Sequence, residues 1–238
     1  MDMYSPIDFQ SEFRNYAIKH MGISSSQFYY WDKMQAEMYS NCMVSGSMTP
    51  YILEERELRV TQMDIFSRLM MERILWIAGP VNDLMSTTVQ AQLLFLESVD
   101  KDKDITMYVD TPGGGVKAGL SMVDNMMLST PDIRTVNTGM AASMGSVLLG
   151  AGTKGKRSIL RFSRVMLHQV SSGYEGNIQD NRIRFQESEK YNNELFELLG
   201  EFCDKDPKQV MEDASRDLWL NSKEALEYGI VDEIITKK

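Results

Sequence analysis

"TGMAASMGSVLLGAG", Thr138 to Gly152, sets one serine among small residues where an apolar helix begins. The preceding "IRTVNTG" reads as a strand, so Ser143 falls at a strand-to-helix turn. Two explanations fit that placement. Ala141, Ala142 and Gly145 permit close helix packing, and a hydroxyl held at such a turn can also act as a nucleophile. Outward from this point the same alternation repeats. "RILWIAGPV" reads as a buried strand ended by Gly79 and Pro80, and "TTVQAQLLFLESVDKDK" as a helix with Val89, Leu93, Leu94 and Leu96 at helical spacing. "ITMYVD" is a strand, "PGGG" a tight turn, and "VKAGLSMVDNMMLS" a helix with Leu120, Val123 and Met127 on one side. Strands follow around "SILRF" and "RVMLHQV". A long polar helix then runs from Gln179 to Phe202, its apolar line including Phe185, Tyr191, Leu195 and Leu198. Its charge fits a solvated face or an oligomer contact. "NSKEALEYGIVDEIIT" reads as a helix opened by an Asn221–Glu224 capping box and stopped by Gly229, with a strand after it. This order predicts layered α/β structure.

The bulk properties narrow the function classes. The 238 residues are 43% hydrophobic, enough for one main domain with its own core. Lys and Arg number 25 against 34 Asp and Glu, a net charge of −9 without a basic cluster, which argues against a nucleic-acid partner. Cys42 and Cys203 have no C-x-x-C spacing, so neither a disulfide framework nor a metal site is expected, and a reducing cytoplasm fits. The N-terminus lacks the basic start and apolar run of a secretory signal. No segment approaches the roughly 20 apolar residues of a membrane span, so no membrane partner is expected. Residues 1–47 lack sustained periodicity and are read as a poorly ordered extension or propeptide, with residues 48–238 as the folded domain.

Of two histidines, His20 lies in the extension, which leaves His168, at the end of "RVMLH", as the general base available to the folded part. A structural role for it stays open. In "YVDTPGGGVKAG", the run Gly113, Gly114, Gly115 lets main chain approach a ligand and leaves amides free to face it. It lacks the G-x-G-x-x-G order and the G-K-[ST] ending of nucleotide loops. The amide of Met144 opens the helix after Ser143. If the two turns faced each other, two donors would surround one oxygen, the geometry of an oxyanion hole.

Together, in this order, "TPGGGVKAG", "GMAASMGS", "RVMLHQV", "GYEG" and "SRDLWLNSKEALEYGIVDEI" resemble the ClpP family, the serine peptidase subunits of the Clp proteases. The likeness runs from about Ile65 to Ile235. It implies that Ser143 is the nucleophile, His168 the base and Asp217 the acid that orients the imidazole, in a Ser-His-Asp triad. It implies Gly114 and Met144 as oxyanion donors. The implied fold is crotonase-like, stacked ββα units with a protruding handle helix, here the 179–202 helix. Through it two heptameric rings would stack. "SSGYEGN" matches a strand beside the handle, so Gly173, Tyr174, Glu175 and Gly176 would pair with extended substrate. Trp76, Tyr108 and Leu128 match a groove where an AAA+ unfoldase of the ClpX, ClpA or ClpC type docks, although core packing is the ordinary explanation for each residue singly. Unfolded proteins would be the substrates, cut to short peptides, and ATP would be used by the unfoldase, so no cofactor is expected in this chain. Three features depart from the family pattern: Gly115 extends the glycine run, Met140 stands where glutamine is usual, and Ser215 where many members carry an acid. Two other readings stand beside the endopeptidase: an acyl-CoA hydratase or isomerase of the same superfamily, and a non-catalytic ring subunit.

Overall fold

The computed structural model describes residues 51–56 and 59–236. The chain divides into two units, residues 1–65 and 66–238. In the first, β1 (Tyr51–Arg56) and β2 (Arg59–Asp64) pair antiparallel, Tyr51 opposite Asp64. The expected extension and its boundary at residue 48 lie outside the described residues. A short helix, α1 (Ile65–Met71), leads into the second unit.

There the elements alternate as expected: β3 (Ile74–Ala78), α2 (Asp83–Val99), β4 (Ile105–Thr111), α3 (Val116–Leu128), β5 (Ile133–Ala142) and α4 (Met144–Gly150). β6 (Arg157–Leu160), β7 (Arg164–Leu167), α5 (Ile178–Cys203), α6 (Pro207–Asp213), β8 (Leu218–Asn221), α7 (Ser222–Tyr228) and β9 (Glu233–Ile235) follow. The sheet order is β3-β4-β5-β6-β9, all parallel, with β7 parallel to β5 and β8 antiparallel to β7.

β5 serves two neighbours in turn. Thr135 to Asn137 pair with β6, whereas Met140 to Ala142 pair with β7. The handover is a bulge: between the pairs Val109↔Asn137 and Thr111↔Ala141, β4 has only Asp110 where β5 has Thr138, Gly139 and Met140. Extra residues lose ladder partners, and side chains supply substitutes. The Asp110 carboxylate accepts from the Met140 amide at 2.9 Å, pressed so close to Gly139 that a Cβ there would come 2.5 Å from Oδ1. Buried Asn137 fills the gap between β6 and β7, donating to the Arg164 carbonyl while its own carbonyl accepts from Ser163 Oγ.

The core lies between one face of the sheet and helices α2 to α4. Leu75, Ile77, Ile105, Met107 and Val109 point into it at alternate strand positions. From α2 come Val89, Leu93 and Leu96; Leu94, expected on that line, is exposed. From α3 come Ala118, Met122, Val123 and Met126, so the buried face is rotated from the expected one and Met127 is exposed. On α5, Phe196, Leu199, Gly200 and Cys203 are buried, while Phe185 faces outward. These helices carry more apolar residues than one stripe holds, so spacing alone left their phase open. The capping box of α7 and its Gly229 stop, at φ 91°, are present as read.

On the same face of the sheet, in register with Thr135, Met107 and Leu75, Arg157 is 1% exposed, the largest buried polar side chain. Its guanidinium meets Asp232 through Nε and Nη2 (2.9 and 2.6 Å) and the carbonyls of Phe202 and Gly229. This ties β6 to the end of α5 and to the turn after α7. Burial pushes the Asp232 carboxyl up, but the Arg157 bonds and charge, with the amides of residues 155 and 157, outweigh it and hold the group below the usual carboxylate range. A depressed carboxylate contributes stability above its unfolded-state pKa and loses it as pH falls through the folded-state value. Arg157→Ala, which strands a partly buried anion, is expected to cost about 3 kcal/mol or more in urea unfolding. That loss should shrink when the same comparison is made in acid.

Candidate active site

Strand register assembles the site. At the carboxyl end of β5, Ala142 pairs with Met166 of β7, and Met166 pairs with Trp219 of β8. One step along, Leu167 pairs with Leu218. His168 and Asp217 are therefore the next antiparallel neighbours, just beyond the ladder, and Ser143 follows the last paired residue of β5. The Ser143 amide donates to the Met166 carbonyl (2.9 Å), carrying the ladder into the turn. Three residues far apart in sequence thus leave adjacent strand ends together.

The contacts follow. His168 Nε2 lies 2.8 Å from Ser143 Oγ, a hydrogen bond. His168 Nδ1 lies 3.6 Å from Asp217 Oδ1, longer than a hydrogen bond, and the Asp217 side chain is 60% exposed. Ser143 has φ 54° and ψ −123°, a positive φ that only three non-glycine residues adopt among those described. Such a backbone costs of order 1–3 kcal/mol and is kept where the surroundings hold it. The holding groups are visible: the Ser143 carbonyl accepts from both the amide and Oγ of Ser146 (2.9 and 2.7 Å).

The glycine turn packs directly on this serine. A Cβ at Gly113 would lie 2.6 Å from the Ala142 carbonyl oxygen, 2.7 Å from Ser143 Cβ and 2.9 Å from the Met144 nitrogen. Val81 donates to the Gly113 carbonyl and accepts from the Gly115 amide, which leaves the Gly114 N–H turned away from Val81. Gly114, Ser143 and Met144 line one cleft with His168, and neither the Gly114 nor the Met144 amide has a hydrogen-bond partner among the described residues. Thr111 fixes the turn, accepting from the Gly113 amide and donating to the Gly79 carbonyl. It also fills the space beside Gly145, where a Cβ would lie 2.6 Å from Thr111 Cγ2. Both explanations of the small residues therefore apply to one turn: Gly145 permits close packing, and that packing presents the serine.

The cleft encloses about 160 Å³, walled by Val116, Val147, Leu195, Phe196 and Leu199. Burial pushes the Cys203 thiol up to about 11, which leaves it protonated and unsuited to nucleophilic attack. Asn192 lines the cleft too, and sequence reading missed it; its signal was its place on the stripe 192, 195, 196, 199 of α5.

The remaining expected site residues fall elsewhere. Gly173 to Gly176 form no strand: residues 168–177 follow an irregular path without a ladder, because β7 stops at Leu167 and no neighbour pairs beyond it. The segment is instead tied to α5, whose Arg184 donates to the Glu175 carbonyl (3.0 Å). Trp76 and Tyr108 are register partners on the outer sheet face, stacked at 4.9 Å. Trp76 is 42% and Leu128 83% exposed, so core packing does not explain either.

A serine hydrogen-bonded to a histidine, with a carboxylate beyond it, at the strand ends of an α/β sheet is the layout serine hydrolases use. A family model described as Clp protease matches residues 56–238. The chain is 46% identical over 227 residues to the ATP-dependent Clp protease proteolytic subunit of Bacteroides fragilis (strain YCH46), covering 95% of this chain and 99% of that protein. The proteolytic subunit of Bacteroides thetaiotaomicron matches with the same identity and coverage. That of Porphyromonas gingivalis is 43% identical, over 95% of this chain and 98% of its own. The chain belongs to the Clp protease family and has its crotonase-like fold. The match reaches well into residues 1–47, so much of the stretch read as an extension is shared with these relatives.

Gly113→Ala should displace Ser143 and slow its labelling by a fluorophosphonate about 100-fold, as expected when a reacting atom moves by about 1 Å. Native mass and melting temperature, measured beside the labelling rate, separate this from unfolding.

Proposed function

We propose that Ser143, His168 and Asp217 perform the peptide-bond hydrolysis of this Clp-family serine peptidase, with the amides of Gly114 and Met144 receiving the oxyanion. The observation that carries this reading is the 2.8 Å bond between His168 Nε2 and Ser143 Oγ. His168 takes the hydroxyl proton as Oγ attacks the substrate carbonyl carbon. The oxygen becomes negative where two partnerless N–H groups line the cleft, each such donor being worth roughly 3 kcal/mol at the transition state. Collapse expels the amine, which takes the proton from His168, and the acyl-serine is then hydrolysed by a water that His168 deprotonates. Asp217 orients the imidazole and offsets its charge. An apolar side chain before the scissile bond fits the wall of Val147, Leu195, Phe196 and Leu199.

The substrates are unfolded proteins, cut to short peptides inside two stacked heptameric rings and delivered by an AAA+ unfoldase, in a cytoplasmic setting. The relatives' names, which couple proteolysis to ATP, support an energy-driven partner; this chain needs no cofactor of its own. Support for ring stacking comes from α5, whose residues 178–190 are almost all exposed, Ile178, Ile183 and Phe185 included. The unpaired path of Gly173 to Gly176 leaves main chain for an extended peptide to join. The exposed Trp76–Tyr108 stack and Leu128 offer apolar surface for the unfoldase.

A fluorophosphonate should label Ser143 in the full chain and not in Ser143→Ala, and that variant should lose about 1,000-fold or more in fluorogenic peptide cleavage. Equal labelling of the two would sink the reading.

A further inference from the structure

We infer that Asn192 is a positioning residue for the catalytic base: it anchors the chain just beyond His168 to helix α5. The inference rests on the proposed role of His168 and extends it to a residue that role does not include. β7 ends at Leu167, so His168 stands one residue past the last ladder pair and the chain after it follows no strand. The carboxylate that would steady the ring is 3.6 Å from Nδ1 and largely in solvent. What fixes the main chain here is the Val170 amide, which donates to Asn192 Oδ1 at 2.9 Å.

Between His168 and Ser171, this is the only main-chain hydrogen bond to the body of the protein among the described residues. The next side-chain bond, Ser172 Oγ to the Tyr174 hydroxyl, stays within the segment. Because the donor is an amide N–H, the accepting atom of Asn192 has to be its oxygen, which settles the orientation of the side-chain amide.

The place of Asn192 along α5 makes the anchor stiff. Residues 178–190 are mostly exposed, whereas Phe196, Leu199, Gly200 and Cys203 are buried. Asn192 stands at the root of the packed half, one turn before Phe196 on the stripe that walls the cleft. The base and the apolar wall therefore refer to the same rigid turn of helix. A leucine at 192 would match the other residues of the stripe in character, and it would release the base-bearing segment.

The test compares Asn192→Leu, which removes the acceptor at similar volume, with Asn192→Asp, which keeps one. In the full chain, Asn192→Leu should slow fluorophosphonate labelling of Ser143 and lower kcat for a short fluorogenic peptide by about 10- to 100-fold, with KM little changed. Asn192→Asp should stay near wild type in both. Wild-type rates in Asn192→Leu would overturn the inference, as would an equal loss in Asn192→Asp with native mass and melting temperature kept. Should Asn192→Leu fail to fold, hydrogen exchange on wild type decides: the Val170 amide should exchange well behind those of Ser171 and Ser172, and exchange as fast as theirs would refute the anchor. A wild type that neither labels nor cleaves would instead remove the hydrolase reading, while the exchange measurement would still report on the bond.

Discussion

The site depends on one row of main-chain pairing, Ala142 beside Met166 beside Trp219. Neither the serine nor the histidine nor the acid is held primarily by the others. Each is delivered by a strand end, and the strand ends are aligned by hydrogen bonds between backbones whose side chains are Ala, Met and Trp. Such a ladder is insensitive to side-chain identity and sensitive to register, since a shift of one residue turns every side chain to the opposite face. The handover of β5 from β6 to β7 fixes that register, and the bulge at Thr138 to Met140 makes the handover possible. The placement of Ser143 therefore has its origin several residues upstream, where Asp110 supplies an acceptor the ladder lacks.

Around that row the fold opposes strain with packing. Ser143 is kept at an unfavourable backbone angle by Ser146 and by the glycine turn against which it abuts, and that turn is kept in shape by Val81 and Thr111. Every contact in this cluster involves main chain on at least one side, which is why Gly113 and Gly114 have no room for a side chain, and the buried Met144 side chain packs away from it against Gly119. The β6 end of the same face is braced in another way, by the Arg157–Asp232 pair, where a buried, hydrogen-bonded charge joins three segments that apolar contacts alone would leave free to slide.

Much of this was legible in the sequence because strand and helix periodicities are local. The order of elements, the turn at Ser143 and the cap and stop of α7 all follow from a few neighbouring residues. Helix phase was less legible: α2, α3 and α5 carry apolar residues on more than one face, and Leu94, Met127 and Phe185 turned out to face solvent. Asp217 could not be chosen by chemistry from 34 acidic residues. Family resemblance singled it out, and the physical reason it lies near His168 is the antiparallel pairing of β7 with β8, a non-local fact. The segment 173–176 was read as a strand, but a strand needs a neighbour, and none of the described residues provides one. Asn192 looked like any polar residue on a charged helix because what distinguishes it is the amide it meets.

The stand-in at Asp110 has a consequence for how such a chain can change over evolutionary time. Gly139 lies so close to the carboxylate that a larger residue there would push the Asp110 side chain aside, and a displaced or shortened side chain would give up the bond to the Met140 amide. The two positions are bound as a pair, and substitutions tolerated almost anywhere else on these strands would have to arrive here in concert. A sheet that turns its corner with a side chain has made that corner hereditary, written in two letters of the sequence instead of in the general grammar of β-structure.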